Sequence, residues 1–494
     1  MGEGERVVES CMQYYAEDTV KDLCKAEQAV IFGARLVAVE AAVCLVGKPY
    51  DLNISYFLVS GTGENPTEVL GKPVISLEQA REILPRNVLI IIAVMEKHLE
   101  SIVENLHQSG FSNLLPLTFE SDLWSDIRGN YFMEYCQKNQ KEYWKLEEVL
   151  ERQIKEPEMR GEDKELGEEA KGQTKKADPR DEDKEFGEES GKQTGELKLI
   201  DKDKGFEEET ENQTKEEKIR GKEKELGEGT KGQQKKPKSN GRNEKFGKET
   251  GQPTGGNSAL AGKNRNQGVC IYTAKCHVDR ELKEDLHRYS WEIPIQVGAA
   301  LTGERICEVR DNIGDHISEK NREYCELTAL YWIWKNTSSQ YAGLCHYRRH
   351  FELNEVLLDQ LCKSEVDVAV TIPILNFPSV KEVYRQDHVK QDWEIMMEAI
   401  RILQPKYQKA AEEVEKGIYY YGYNMFFARK EIVDDYCRWL FPILAYCERH
   451  CEKKEDPYQN RYIGFLAERL LTIYLKGHEG KYKMVHVRKH FVER

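Results

Sequence analysis

Long apolar runs are missing from this 494-residue chain. No stretch of about 18 or more apolar residues occurs, so no membrane-spanning helix is expected. The start, "MGEGERVVESC", lacks a basic segment followed by an apolar one, so no secretory leader is expected. Arg6 stands where a myristoylation signal needs Ser or Thr. An excess of positive charge is also missing. The formal net charge is -14, which argues against nucleic acid or an anionic membrane face as the default partner. Any basic cluster is therefore local and informative. Paired CxxC motifs are absent among the 13 cysteines, so zinc ribbons are not expected. Cys44, Cys325 and Cys447 sit in apolar patterns, as buried thiols do in a reducing cytosol. Cys447 and Cys451 flank His450, but buried or helix-surface thiols explain them better than a metal.

What is present changes character twice. Composition breaks near residue 155 and recovers near 268. Between these points lies a 20-residue repeat, five times over. "GEDKELGEEAKGQTKK" from Gly161, "DEDKEFGEESGKQTGE" from Asp181 and "GKEKELGEGTKGQQKK" from Gly221 are its clearest copies. Leu166, Phe186, Phe206, Leu226 and Phe246 fall in phase. One or two apolar residues per copy cannot offset the entropy of ordering. The tract (156–266) reads as a disordered, charged linker rather than a solenoid.

Before it, an N-terminal helix (1–27) leads into a small Rossmann-like α/β domain (28–120) and a helical connector (121–155). "AVIF", "SYFLVS", "VLIIIAV" and "NLLPL" are continuous apolar strands alternating with helical patterns, the mark of a parallel sheet covered on both faces. The dinucleotide fingerprint is missing: Gly33-Ala34-Arg35 offers one glycine of three, and no acid closes the second strand. The segment "GKPVISLEQAREIL…NVLIIIAVMEKHLESIVENLHQSGFSNLLPL" resembles the small sugar-nucleotide-binding-type domains beside bacterial sugar-modifying enzymes.

The C-terminal domain (267–494) opens on the strand "VCIYTA". Ser318 is placed to cap a helix whose Leu327, Leu330, Tyr331 and Trp334 share a face and read as core. "YAGLCHYRRHF" then ends a short strand in His346, Arg348, Arg349 and His350. Ligands of open α/β sheets bind beyond the carboxyl ends of strands. Two arginines there suit a diphosphate, through charge-assisted bidentate bonds; pairing with local acids such as Glu352 and Glu355 is the plainer alternative. Asp387, His388 and Asp392 follow, the last two at i, i+4, a spacing that on one helix would suit a base with its orienting partner or half a metal site. Asn424 lies inside an aromatic strand-like run, and Glu468 beside Arg469 inside an apolar helix; each is either structural or site-lining.

"IPIQVGAAL", "DNIGDHISEKNREYCELTALYWIWKN", "YAGLCHYRRHF", "YNMFFARKEIVDDYCRWLFPIL" and "RYIGFLAERLLTIYL" together resemble the bacterial family filed as domain of unknown function 4422, over about residues 268–494. Its members are glycosyltransferase-like proteins of capsular and exopolysaccharide clusters. The resemblance implies a GT-A-like fold and sugar transfer from a nucleotide-sugar to a glycan or lipid-linked acceptor; a cytoplasmic location, compatible with peripheral membrane association, is expected beside it. In this reading His346, Arg348 and Arg349 stand at the strand end where many such enzymes hold a cation with two aspartates. No metal ligand is assigned and no cofactor is certain; Mn²⁺ or Mg²⁺ dependence is expected to be weak or absent. Asp387 and Asp392, with His388 and Glu468 behind them, are the carboxylate-base candidates. His277, Asp311, Asp315, Asn321 and Asn424 are donor-binding candidates. The family's first strand usually ends in His-Lys, whereas this chain reads Lys275-Cys276-His277. Two rival expectations are a non-enzymatic scaffold of polysaccharide assembly and a nucleotide-sugar-modifying enzyme centred on the N-terminal domain.

Overall fold

A computed structural model describes residues 23, 28–61, 63, 65–146, 268–282 and 289–492. The repeat linker, the N-terminal helix apart from Leu23, and the end of the connector lie outside the described residues.

The apolar runs of the first unit pair into one sheet. Its strands are β1 (Ala29–Phe32), β2 (Ile54–Val59), β3 (Glu68–Val69), β4 (Lys72–Ser76), β5 (Leu89–Ile92) and β6 (Leu114–Pro116). The order is β3-β4-β2-β1-β5-β6, parallel throughout except for the β3–β4 hairpin. Four strands match the sequence expectation. The hairpin escaped it because Glu68-Val69 and the Lys-Pro opening of β4 make no apolar run. Helices α1 (Leu36–Val46), α2 (Leu77–Ile83), α3 (Glu96–Gln108) and α4 (Asp122–Lys138) complete the unit. Ser76 and Gln79 form a reciprocal capping box that starts α2.

The second unit is α/β as well. Strands β7 (Val269–Lys275), β8 (Glu292–Gln296) and β9 (Val309–Arg310) precede the short α5 (Asn321–Tyr324) and α6 (Leu327–Asn336). Then come β10 (Tyr341–His346), β11 (Arg349–Phe351), α7 (Glu355–Lys363), β12 (Val368–Thr371), β13 (Ile374–Leu375), α8 (Val380–Asp387), α9 (Lys390–Leu403) and α10 (Gln408–Lys416). Strands β14 (Tyr419–Tyr420) and β15 (Phe426–Arg429), helices α11 (Lys430–His450) and α12 (Tyr462–Lys476), and strands β16 (Met484–Val487) and β17 (Lys489–Phe491) finish it. The main sheet runs β16-β12-β15-β10-β7-β8-β9, with β15 antiparallel to both neighbours and the other pairs parallel. A β10–β11–β17 antiparallel extension branches from the carboxyl end of β10, inside the sheet. Gly343 is required at its centre, since a Cβ there would lie 2.2 Å from the Phe427 Cβ. Strand order reverses at β7, whose chain successor β8 lies on one side and β10 on the other. The crevice between the ends of β7 and β10 is therefore the topological switch point.

Two sequence expectations are corrected by this geometry. His388 and Asp392 do not share a helix. Helix α8 ends at Asp387, His388 is extended (φ -135°, ψ 175°), and α9 begins at Lys390. Asn424 is not in a strand; with Tyr423 it makes a left-handed turn between β14 and β15 (φ 65° and 51°).

The N-terminal domain is docked on the second unit. Leu375 of β13 is fully buried within the first unit's core, a contribution of about 2 kcal/mol for such a side chain. The Phe132 ring of α4 meets Tyr419 at 4.6 Å, and Tyr143 stacks on His486 at 4.3 Å. The His486 N–H donates to the Trp144 carbonyl (3.0 Å), extending β16 by a parallel bridge. Residues 139–146, which follow α4, thus serve as a joint rather than as continuous helix.

Candidate active site at the strand switch point

Beyond the end of β10, a polar network closes around one strained turn. His346 Nε2 bonds the Tyr423 carbonyl oxygen (2.6 Å). The Tyr423 N–H donates to Glu468 Oε1 (2.6 Å), and Glu468 Oε2 accepts from Arg469 (2.6 Å). Asn424 Nδ2 donates to Glu326 Oε1 (2.7 Å) and more weakly to the Gly464 carbonyl (3.3 Å). Tyr423, Asn424 and Cys325, all with positive φ, meet here. Non-glycine residues hold that conformation only where their surroundings over-determine it, and such residues concentrate at functional sites. The Arg461 Nε–H, at the N-terminus of α12, reaches Cys325 Sγ at 3.2 Å.

The charges in this network are perturbed by burial and by one another. Burial raises the Glu468 carboxyl; Arg469 opposes the rise and Glu326 adds to it. Burial lowers the His346 imidazole; Glu326 opposes the fall and Arg349 adds to it. Burial raises Asp387 to about 6 against the pull of Arg469. His388 is driven down to about 3 by burial and by Arg469, so it is neutral at ordinary pH. Its ring stacks on Phe465 at 4.1 Å. The Arg469 guanidinium lies over Tyr420 at 4.0 Å and over Tyr384 at 5.2 Å. Asn424 is 2% exposed and Arg469 4%, and each keeps a polar atom without a hydrogen-bond partner. Buried groups of that kind are costly unless something else meets them.

Of the residues singled out from sequence, this region gathers His346, Asn424, Glu468, Asp387 and His388. The others lie elsewhere. Asp392 is buried in an ion pair with Lys454 (2.7 Å), on the far side of the helix break. Asp311 accepts from the Gly298 and Ala299 N–H groups and from the Ser318 hydroxyl, which fixes the loop after β8. Asn321 caps the adjoining turn through the Cys325 carbonyl and Thr328 (2.7 and 3.2 Å). It also packs so close to Gly298 (φ 63°) that a Cβ there would stand 2.7 Å from its Oδ1. Asp311 and Asn321 therefore shape the loop after β8. Asp315 is exposed and bonded to Tyr331 Oη (3.1 Å). His277 is half-buried at the end of β7, its Nδ1 3.5 Å from Cys276 Sγ.

The two arginines expected as a clamp each have partners within the chain. Arg348 lies over the Phe491 ring (4.4 Å) and donates to the Val492 carbonyl (3.3 Å). Arg349 gives Nε–H and Nη2–H to Glu120 of the N-terminal domain (3.1 and 2.5 Å). The Nε/Nη2 edge of its guanidinium is thus committed to that carboxylate. The nearby Glu292, Cys345 and His350 converge closely enough to ligate a metal, but His350 Nδ1 bonds Glu292 (3.0 Å) and Cys345 lies against Thr273 (3.3 Å). Sequence reasoning missed Glu326, Arg461 and Glu120. Glu326 stands beside Cys325 in a stretch read only for caps and core, and nothing local marks Glu120 as the partner of a residue 229 positions away.

The architecture is thus an α/β sheet with strained, charged residues at its switch point. Residues 271–479 match the model of a family described as "Domain of unknown function (DUF4422)", so the resemblance read from the sequence is shown for the C-terminal unit. No curated protein matches the chain. Among solved structures, the apo form of a bifunctional glycosyltransferase, WbbM, is 27% identical over 46% of this chain and 46% of its own, with a TM-score of 0.42. The chain therefore covers less than half of that protein's length. A Rex-family repressor, RSP, is 13% identical over 24% of this chain and 66% of its own, with a TM-score of 0.18. Among the described residues no helix is long and apolar enough to cross a membrane.

Proposed function

We propose that the C-terminal unit is a glycosyltransferase that moves a sugar from a nucleotide-sugar donor to a glycan or lipid-linked acceptor. It would work in the cytoplasm, with peripheral membrane association, in making a capsular or exopolysaccharide. The observation that carries this reading is the His346–Tyr423–Glu468 network at the switch point of a domain that matches this family. An acceptor hydroxyl needs a carboxylate to take its proton. Glu468 and Asp387 are the candidates, since burial raises both and keeps them basic enough to act. A leaving diphosphate needs fixed positive charge. Arg461 at the N-terminus of α12 suits that role better than Arg349, because the helix end adds its own favourable field. The loop held by Asp311 and Asn321, with His277 at the end of β7, would seat the nucleoside. Divalent Mn or Mg is not required by this reading.

The test is release of nucleotide by the full chain from a panel of UDP-, GDP- and dTDP-sugars, with and without EDTA. Turnover of one donor that survives EDTA is the expected result. No turnover across the panel would count for a scaffold, and activity restored only by Mn²⁺ would overturn the metal-free part. The nucleotide-sugar-modifying alternative has less support. After β1 the chain offers Gly33-Ala34-Arg35, one glycine where the dinucleotide fingerprint has three, and no acid closes β2.

A further inference from the structure

The N-terminal unit reaches the candidate site through Glu120. This carboxylate, 4% exposed, follows β6 and takes both the Arg349 fork and the Lys489 ammonium. Burial alone would raise it, but the two cations outweigh burial and hold it at about 2. Both cations lie over one ring, that of Tyr423, at 4.5 and 5.4 Å. The main chain of Tyr423 joins His346 to Glu468, and it does so in the left-handed region. A tyrosine keeps that conformation only when ring and backbone are both held. The ring is held by cation–π attraction, and the cations are held by Glu120.

We propose that Glu120 is a positioning residue of the C-terminal site: by fixing Arg349 and Lys489 over the Tyr423 ring, it sets the turn that fixes His346 and Glu468. The N-terminal domain then completes the site without binding a substrate of its own. Its consequence for catalysis rests on the transferase reading; the geometric claim does not. Mere domain adhesion is a separate matter, because Leu375, Phe132–Tyr419 and the Trp144–His486 bond hold the same interface without Glu120.

The experiment is amide hydrogen exchange, resolved to single residues, on the full chain and its Glu120→Gln, Glu120→Asp and Asp126→Asn variants. Asp126 pairs with Arg488 across the same interface (3.3 Å) and is the control. The Tyr423 amide should exchange about tenfold faster in E120Q and recover in part in E120D, with the His486 amide unmoved. D126N should change neither. An unmoved Tyr423 amide overturns the proposal. So does equal acceleration at His486, which would mean undocking. If E120Q fails to fold, E120D against wild type gives the same comparison at smaller amplitude. On a donor turned over by wild type, E120Q should lose kcat with KM kept within about twofold, and E120D should regain part of it. Unchanged kcat beside a loosened turn overturns the catalytic half. If wild type turns over no nucleotide-sugar, the transferase reading falls while the exchange result still decides the role of Glu120.

Discussion

Replacing Glu40 by glutamine should stabilise the protein progressively as pH rises above 5. Glu40 lies on the buried face of α1, fully shielded from solvent. Burial pushes its carboxyl from 4.5 up to about 8, against the pull of Arg128. An acid with a raised folded value binds a proton on folding wherever the pH lies between its unfolded and folded values. Below 4.5 both states are protonated and nothing is lost; through the window from 4.5 to about 8, stability falls as pH rises. Three and a half pH units at about 1.4 kcal/mol each amount to about 5 kcal/mol at the top of that window. Glutamine keeps the shape and cannot ionise. The variant should match wild type within about 1 kcal/mol at pH 5, exceed it by about 3 kcal/mol at pH 7, and by about 5 kcal/mol at pH 8 and above. Urea unfolding at these pH values, followed by tryptophan fluorescence, measures the difference; Trp124 is fully buried beneath the Arg128 guanidinium (5.4 Å) and reports on this region. Parallel stability curves across the range would refute the reasoning, for they would mean that Glu40 is ionised in the folded state and paired.

The remaining predictions concern the second unit. If Asp387 takes the acceptor proton, kcat/KM should rise as pH passes about 6, where its carboxyl ionises, and Asp387→Asn should cost about 10²- to 10⁴-fold and remove that limb. Glu468→Gln is the competing assignment, and a flat limb in that variant instead would move the role to Glu468. Asp392→Asn should act on stability rather than chemistry. It leaves Lys454 buried without its carboxylate and should cost about 3–5 kcal/mol in urea unfolding, while kcat of the surviving folded protein stays near wild type. Gly343→Ala should fail to give soluble protein, because its Cβ would fall 2.2 Å from Phe427 in the centre of the sheet; a soluble, cooperatively folding variant would show that β10 and β15 can separate.

Much of the architecture was legible because it is local. Apolar runs of four to seven residues between amphipathic stretches mark parallel strands, and β1, β2, β5, β6, β7 and β10 were found in that way. The hairpin β3–β4 was not, since its residues do not alternate and its pairing depends on a turn. The break between α8 and α9 was also hidden. Asp387 to Asp392 reads as continuous polar helix, and only tertiary packing of the His388 ring on Phe465 shows where the chain turns. Site residues divide along the same line. His346, Asn424 and Glu468 stood out because polar groups inside apolar patterns need partners. Their common partner, the main chain of Tyr423, is a backbone group and leaves no trace in residue identity. Glu326 and Glu120 act across 98 and 229 positions, a separation that no periodicity encodes.

The fate of the two arginines follows from the same physics that drew attention to them. A guanidinium at a strand end is expensive to bury alone and cheap to bury against a carboxylate in bidentate contact. A diphosphate and a glutamate satisfy that need equally well, so charge at a strand end cannot by itself tell a ligand site from a domain joint. What separates the two is supply. Arg349 meets its carboxylate within the chain, from a domain more than two hundred positions earlier, and Lys489 completes the triad. Among the described residues Arg461 makes no carboxylate hydrogen bond, although Glu326 acts on it through charge; its Nε–H rests on a neutral thiol that burial keeps protonated, with Cys325 raised to about 11. A cation left on a weak acceptor at a helix N-terminus is the better place for an anionic substrate than one already matched. That makes Arg461→Ala, rather than Arg349→Ala, the substitution that should raise KM for a nucleotide-sugar while leaving the unfolding midpoint in urea near that of wild type. The opposite outcome, with Arg349→Ala raising KM and Arg461→Ala silent, would return the donor site to the β10 strand end.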